Sequence, residues 1–330
     1  MGSLYLWFGF IALIIFLLAL DLGVFNRKVH TPGIRESLVW TAFWVFLALS
    51  FNVGIYFLYE NNVFGIAAQT ANAAVPMTGA AAAQTFFTGY VIEKSLSLDN
   101  IFVISMVFSF FGVPRQYQHR TLFWGIFGAL ILRGAMILLG TALIIQFHWV
   151  LYIFGGLLLL TAAKMLFHQS EEVHPEKNPL VKLTQKFLPM TANFHEEHFF
   201  VKENGRWLFT PLMLTLLVVE SNDLIFAVDS IPAVFAITQD PFIVFTSNVF
   251  AILGLRSLYF VMAAMIAKFK YLHVSLSVIL AYVGVKLLCI DVIHHFDVDS
   301  EMTLVSLGII ILVMLAGITA SLAVKTAAKK

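Results

Sequence analysis

The chain has 330 residues, 60% of them hydrophobic and only 12% charged, with a mean hydropathy of +0.89. Soluble domains average about 25% charged residues, so this composition excludes an ordinary soluble domain and points to a protein that crosses the bilayer repeatedly. A net charge of +1 carries no nucleic-acid signal, and the single cysteine, Cys289, excludes an internal disulfide framework or a cysteine-built metal centre.

The N-terminal stretch MGSLYLWFGFIALIIFLLALDLGVF lacks a basic leader and runs too long for a signal-peptide core, so it reads as a retained first span. MGSLYL also lacks the sixth-position Ser or Thr of a myristoylation signal. A hydrocarbon core about 30 Å thick needs roughly 20 apolar residues per helix. Nine runs approach that length: 4–25, 38–59, 85–111, 120–142, 149–167, 209–236, 242–267, 273–292 and 302–324. The expectation is one all-α polytopic membrane domain over 1–330, with nine spans.

Lys and Arg set its orientation. NRKVHTPGIR, PRQYQHR, the 168–208 segment, KFK and KTAAKK all fall on one side, while the opposite loops contain no Lys or Arg. The positive-inside rule then predicts an outside N-terminus, a cytoplasmic C-terminus and a cytoplasmic loop over 168–208. Within that loop, HEEH at 195–198 misses the zinc-protease pattern HExxH because position 199 is Phe. A solvated turn is expected there, with a helix-borne His195/His198 metal pair as the alternative.

The third run contains DNIFVIS (99–105) and the sixth DLIFAVD (223–229); FGALILRGAMI (127–137) likewise matches FAILGLRSLYF (250–260), and Lys164 matches Lys286. The Asp-to-Arg separations are 34 and 33 residues and the Arg-to-Lys separations 31 and 30. This is an internal repeat of two three-span units, 85–167 and 209–292, with peripheral helices at 1–59 and 302–324. An odd number of spans per unit turns the second unit upside down, an arrangement that in many transporters places an ion site between the halves.

Charged residues stand at membrane depth in these units. Glu93 and Asp99 lie in the third run, and Glu220, Asp223 and Asp229 in the sixth. An Asp at a helix centre costs about 2.5–3.5 kcal/mol on insertion scales, so such residues mark ion pathways by default. At about 100° per residue, Glu93, Ser97 and Asn100 share one stripe, and Glu220 and Asp223 are i,i+3 neighbours. Asp99 and Asp229 fall off those stripes. Pro232 frees the Val228 carbonyl, and a helix break there would turn Asp229 inward. Candidate metal ligands are therefore Glu93, Asp99, Asn100, Glu220, Asp223 and Asp229. Arg133 and Arg256 are the expected ion-pair partners, with Lys94, Ser97 and Pro232 as gating or coupling positions. Lys164 is expected to snorkel, and His148, His273, His294 and His295 to sit at the interfaces. Hard oxygen donors in this number suit Mn²⁺, Ca²⁺ or Mg²⁺, and paired acids that hold protons without metal offer metal–proton exchange. No permanently bound cofactor is expected, and the partners are the divalent ion and the lipid bilayer, with no nucleic acid.

GYVIEKSLSLDNIFV and VVESNDLIFAVDSIPAVFAITQDPF, continued by NVFAILGLRSLYF, resemble the bacterial TerC family of integral membrane proteins, most closely its Alx-like branch. The resemblance covers about 1–325, departing at Asn222, where similar proteins often carry a small hydroxyl residue. It implies an inner-membrane protein associated with manganese export and with tellurite or alkaline-pH responses. It also implies that the family acids fall on Glu93, Asp99, Glu220, Asp223 and Asp229. The leading expectation is an Mn²⁺ exporter working by alternating access. Two rivals remain: a stress-response scaffold or sensor without transport, and an intramembrane aspartyl enzyme. The GxGD motif of the last is absent, since Asp223 follows Glu-Ser-Asn and Asp99 follows Leu-Ser-Leu.

Overall fold

Backbone N–H and C=O groups find no water inside lipid, so a spanning segment must satisfy them within itself, which a helix does. Among the residues described by the computed structural model, each of the nine apolar runs is mainly helical. The structure describes residues 2–20, 33–68, 77–167, 189–191, 193–203, 205–263, 271–295 and 299–327. Helix α1 is Gly2–Leu20, α2 Ile34–Glu60, α3 Gly79–Phe110, α4 Arg115–Gln146 and α5 Val150–Phe167. A short antiparallel hairpin follows, β1 Phe200–Glu203 and β2 Arg206–Phe209, with Phe200 opposite Phe209. Then come α6 Pro211–Phe235, α7 Pro241–Leu253, α8 Leu255–Ala263, α9 Leu272–Leu288, α10 Ile290–His295 and α11 Asp299–Ala327.

Among the described residues, α2, α4, α5, α6 and Met302–Ser321 of α11 are long and apolar enough to cross a membrane, which makes five; α7 and α8, bent by 43°, make a sixth if joined. The other expected spans fall on α1 and α9, whose apolar helices Leu4–Leu20 and Leu272–Leu288 are shorter, and on α3, which carries Glu93, Lys94 and Asp99 along its middle.

The structure corrects several expectations. The chain is not wholly helical, because the expected 168–208 loop holds the hairpin, and β2 also bridges Met190. Residues 168–188 of that loop lie outside those described, as do 21–32, 69–76, 264–270 and 296–298. HEEH forms the expected turn and not the alternative helix: Glu196 has φ +49°, and the His195 ring meets Thr191 Oγ1 at 3.1 Å and Glu203 at 3.2 Å. The seventh run is two helices meeting at Gly254, and the eighth is α9 plus α10, with a turn at Cys289. Most consequentially, α6 runs unbroken through Pro232. That proline lies in the last turn, where it removes one hydrogen bond while the N–H of Ala236 still bonds its carbonyl at 3.0 Å.

Helix starts follow local chemistry. Thr78 accepts from the Ala81 N–H at 3.2 Å, and Thr210 does the same for Met213 at 3.4 Å ahead of Pro211. Asp240 accepts from Phe242 at 2.9 Å and Ile243 at 3.2 Å, fixing the start of α7, while the Tyr59 hydroxyl of α2 donates to it at 2.7 Å. The packing pairs helices reciprocally: α3 lies on α7, α4 on α6, and α5 on α9. Between α5 and α9 the backbones nearly touch, since a Cβ on Gly155 would meet the Gly284 carbonyl at 3.0 Å. Leu138, Leu139, Leu160 and Leu312 point outward, as a lipid-facing surface requires.

Candidate cation site

Two polar regions meet where α3, α4, α6 and α7 pack together. At the first, Arg133 of α4 is 4% exposed, and one guanidinium serves two acids. Its Nη1 donates to Glu93 Oε2 of α3 at 2.5 Å, and its Nη2 and Nε donate to Asp223 of α6 at 3.1 and 3.3 Å. Nη1 also reaches Ser230 Oγ of α6 and Asn248 Oδ1 of α7, each at 3.2 Å. Asn100 Nδ2 adds a bond to Asp223 Oδ1 at 2.9 Å. Helical spacing makes the cluster possible, because Glu93 and Asn100, like Asp223 and Ser230, are seven residues apart and so share a face. Two buried carboxylates against one guanidinium leave an excess negative charge. Two acceptors, Glu93 Oε1 and Asn100 Oδ1, are buried without a hydrogen-bond partner. Buried polar atoms are nearly always satisfied, by protein or by ordered water, so these two oxygens are open to a water or an ion.

Beside Arg133 lies the second region, a cavity of about 30 Å³. Asp99 and Asn100 of α3, Arg133, and Asp229 and Ser230 of α6 line it, with an apolar wall from α9. Asp99 Oδ1 faces His273 Nδ1 of α9 at 3.3 Å, and Asp229 Oδ1 accepts from Thr161 Oγ1 of α5 at 2.9 Å. The two acids that fall off the main stripes thus meet on another face, and Asp229 arrives there without a break at Pro232. Lys164, near Asp229, is exposed at the end of α5.

The remaining candidates are placed as follows. Glu220 is half-buried; its carboxylate lies against Gly128 of α4, where a Cβ would overlap it, and its Oε2 is buried without a partner. Ser97 donates to the Glu93 carbonyl at 2.6 Å, so its hydroxyl proton is committed to its own helix. Lys94 turns away from the acids and donates to the Ala251 carbonyl at 3.1 Å, beside the α7–α8 break. Arg256 is buried on α8, which packs on α2, α3 and α4. Among the described residues, no three His, Cys, Asp or Glu side chains converge closely enough to hold a metal ion. Glu93, Asn100 and Asp223 are therefore one group, Asp99 and Asp229 a second, and Glu220 stands apart.

Sequence reasoning missed His273, Thr161, Ser230 and Asn248. Ser230 was within reach, since it repeats the Asp223 face after two turns. His273 and Thr161 join acids 174 and 68 residues away, for which a single sequence holds no pattern. Of the other three span-end histidines, His148 pairs with Asp291 at 3.0 Å on the exposed surface, and the side chains of His294 and His295 lie outside those described.

Comparison with known proteins gives a consistent picture. The family model described as "Integral membrane protein TerC family" matches residues 78–329. The chain is 48% identical over 321 residues to an uncharacterized membrane protein of Myxococcus xanthus, covering 97% of this chain and 93% of that protein. It is 45% identical over 316 residues to Alx of Escherichia coli (strain K12), described as a candidate membrane-bound redox modulator, covering 95% and 93%. A membrane protein of Rickettsia felis is 41% identical over 316 residues, covering 96% and 97%. No solved structure matches the chain.

Proposed function

The chain belongs to the TerC family of integral membrane proteins, and from that premise we propose that it exports divalent cations, Mn²⁺ foremost, across the bacterial inner membrane by alternating access. One observation carries this reading: a single buried guanidinium bridges Glu93 and Asp223 at the edge of a cavity lined by Asp99 and Asp229. Arg133 acts as a tethered cation. It neutralises the acids when no ion is bound and is displaced when a divalent ion brings the same charge compensation in mobile form. Breaking such a pair without replacement costs about 3–5 kcal/mol, so exchange is favoured over vacancy. Protons on the acids of the cavity supply the return coupling.

The nine-span topology, with the N-terminus outside and the C-terminus cytoplasmic, belongs to this proposal, as does the inverted repeat over 85–167 and 209–292. The reciprocal packing of α3 on α7 and α4 on α6 supports it, because exchanging the two units maps each contact onto the other. In this reading Glu220 lies on the cytoplasmic approach, and the candidate ligands act in succession rather than as one cage.

The test is Mn²⁺ flux in proteoliposomes, in both directions, with an imposed pH gradient. Wild-type protein should carry Mn²⁺, while Asp99→Asn and Asp223→Asn should insert in the membrane and carry none. Inactive wild-type protein would sink the proposal and leave the scaffold or sensor reading.

A further inference from the structure

We propose that the exposed aromatic face of the β1–β2 hairpin, made of Phe200, Lys202, Trp207 and Phe209, lies in the phospholipid headgroup layer of the leaflet at which α6 begins. This goes beyond the cation reading above and holds whichever ion the protein carries.

Three observations converge. First, the hairpin is tied to the membrane. Phe209 stands two residues before Pro211, the first residue of α6, so chain geometry keeps it within about 7 Å of a helix long and apolar enough to cross a bilayer. The Thr210 N–H donates to the Phe199 carbonyl at 3.1 Å, and its hydroxyl donates to the His198 carbonyl at 2.7 Å. From α4, Arg120 pairs with Glu197 at 3.3 Å, and its guanidinium lies 5.6 Å from the centre of the Phe199 ring. Two helices therefore hold the base of the hairpin, and its faces cannot turn freely. Second, strand alternation sorts the side chains. Phe200 opposite Phe209 and Lys202 opposite Trp207 share one face, and the rings of Phe200 and Phe209 meet with centroids 5.0 Å apart. Trp207 is 64% exposed and Phe200 44%. On the other face Val201 and Leu208 are half-buried, and Phe199, next in that alternation, joins the core. The aromatic face is thus the one turned away from the protein. Third, its chemistry fits a headgroup layer. Indole combines an apolar body with an N–H that needs an acceptor, which is why tryptophan collects at membrane–water boundaries. Lys202 supplies a charge complementary to phosphate, on a stem long enough to snorkel. In bulk water the same face would leave Trp207 and Phe200 unsheltered on a strand pair, an association hazard.

The experiment uses the full-length protein in liposomes of phosphatidylethanolamine and phosphatidylglycerol. Subtracting the fluorescence of Trp207→Phe from that of wild type isolates Trp207, and Phe keeps a ring at this exposed position, so the fold is not at stake. Lipids brominated near the headgroup end of the acyl chain should quench that difference, while aqueous iodide should leave most of it. In a Cys289→Ser background, spin labels placed through Lys202→Cys and Glu203→Cys should then separate the two faces. The ratio of collisions with oxygen to collisions with a water-soluble nickel chelate should be higher at 202 than at 203. Trp207 emission untouched by brominated lipid overturns the proposal, as do equal collision ratios at the two positions. If that untouched emission is also shielded from iodide, and the shielding is lost on diluting the protein in the bilayer, the face belongs to a contact with a second copy of this chain. The fluorescence arm carries no label, so a labelled variant that fails to fold leaves the test standing.

Discussion

The motifs FGALILRGAMI (127–137) and FAILGLRSLYF (250–260) match, yet the first lies inside the 32-residue helix α4 and the second is split at Gly254 into helices bent by 43°. Gly254 stands where the first motif has Ile131. A Cβ there would come within 2.9 Å of Lys94 Nζ and 3.1 Å of Trp44 Cβ, so the absence of a side chain lets Lys94 approach. That ammonium bonds the Ala251 carbonyl at the C-terminal end of α7, where a helix presents partial negative charge. The acids differ as well. Asp223 is locked to Arg133 and Asn100, whereas its counterpart Asp99 faces a cavity and His273. Matching sequences have thus produced one closed ion pair and one open pocket. In the proposed cycle that asymmetry is the working state, and the opposite conformation would exchange the roles.

This contrast can be broken at graded sites. The largest effect belongs to Arg133→Leu, which strands Glu93 and Asp223. It should cost about 3–5 kcal/mol, seen as a large fall in melting temperature in detergent, and adding Glu93→Gln and Asp223→Asn should restore most of it. A single variant that melts like wild type would show the ion pair to be dispensable. Next, Asp223→Asn should cost about 1.5–3 kcal/mol by weakening its charge-assisted bonds, while Asp99→Asn should change stability by less than about 1 kcal/mol. Both should abolish flux, and equal melting shifts would erase the distinction between closed and open acids. Lys94→Met leaves the Ala251 carbonyl unpaired and should cost about 1–2 kcal/mol, with slower transport as α7 and α8 lose their pin. The smallest effect is expected for His148→Ala. It removes an exposed pair with Asp291, and a shift beyond about 1 kcal/mol would mean that this surface contact matters more than its exposure implies.

Much of the architecture was legible because lipid imposes one solution on apolar runs, and each of the nine expected runs is helical among the described residues. The Arg133 centre was partly legible too, since Glu93, Asn100 and Asp223 announce themselves as polar residues on shared helix faces. The bend was misplaced. Proline is the usual marker of a kink, but α6 runs unbroken through Pro232, and the bend sits at Gly254 instead, where a lysine from another helix bonds the Ala251 carbonyl. Asp229 was assigned to the site through the wrong cause: its face already points at the cavity, and Thr161 holds it there. His273 looked like an interfacial residue because its role depends on where α9 packs, and helix-to-helix register is not written in any local pattern.

The cavity beside Arg133, at about 30 Å³, has room for only a water or two. In the proposed transport cycle, a divalent ion carrying about six first-shell waters would exchange waters for protein donors on entering this cavity. Turnover would then be timed by the lability of the aqua ion, and Mg²⁺, which releases water reluctantly, would be delayed at the entrance before any difference in affinity could act. In that cycle a cramped chamber would act as a kinetic filter, sorting ions by how quickly they release water.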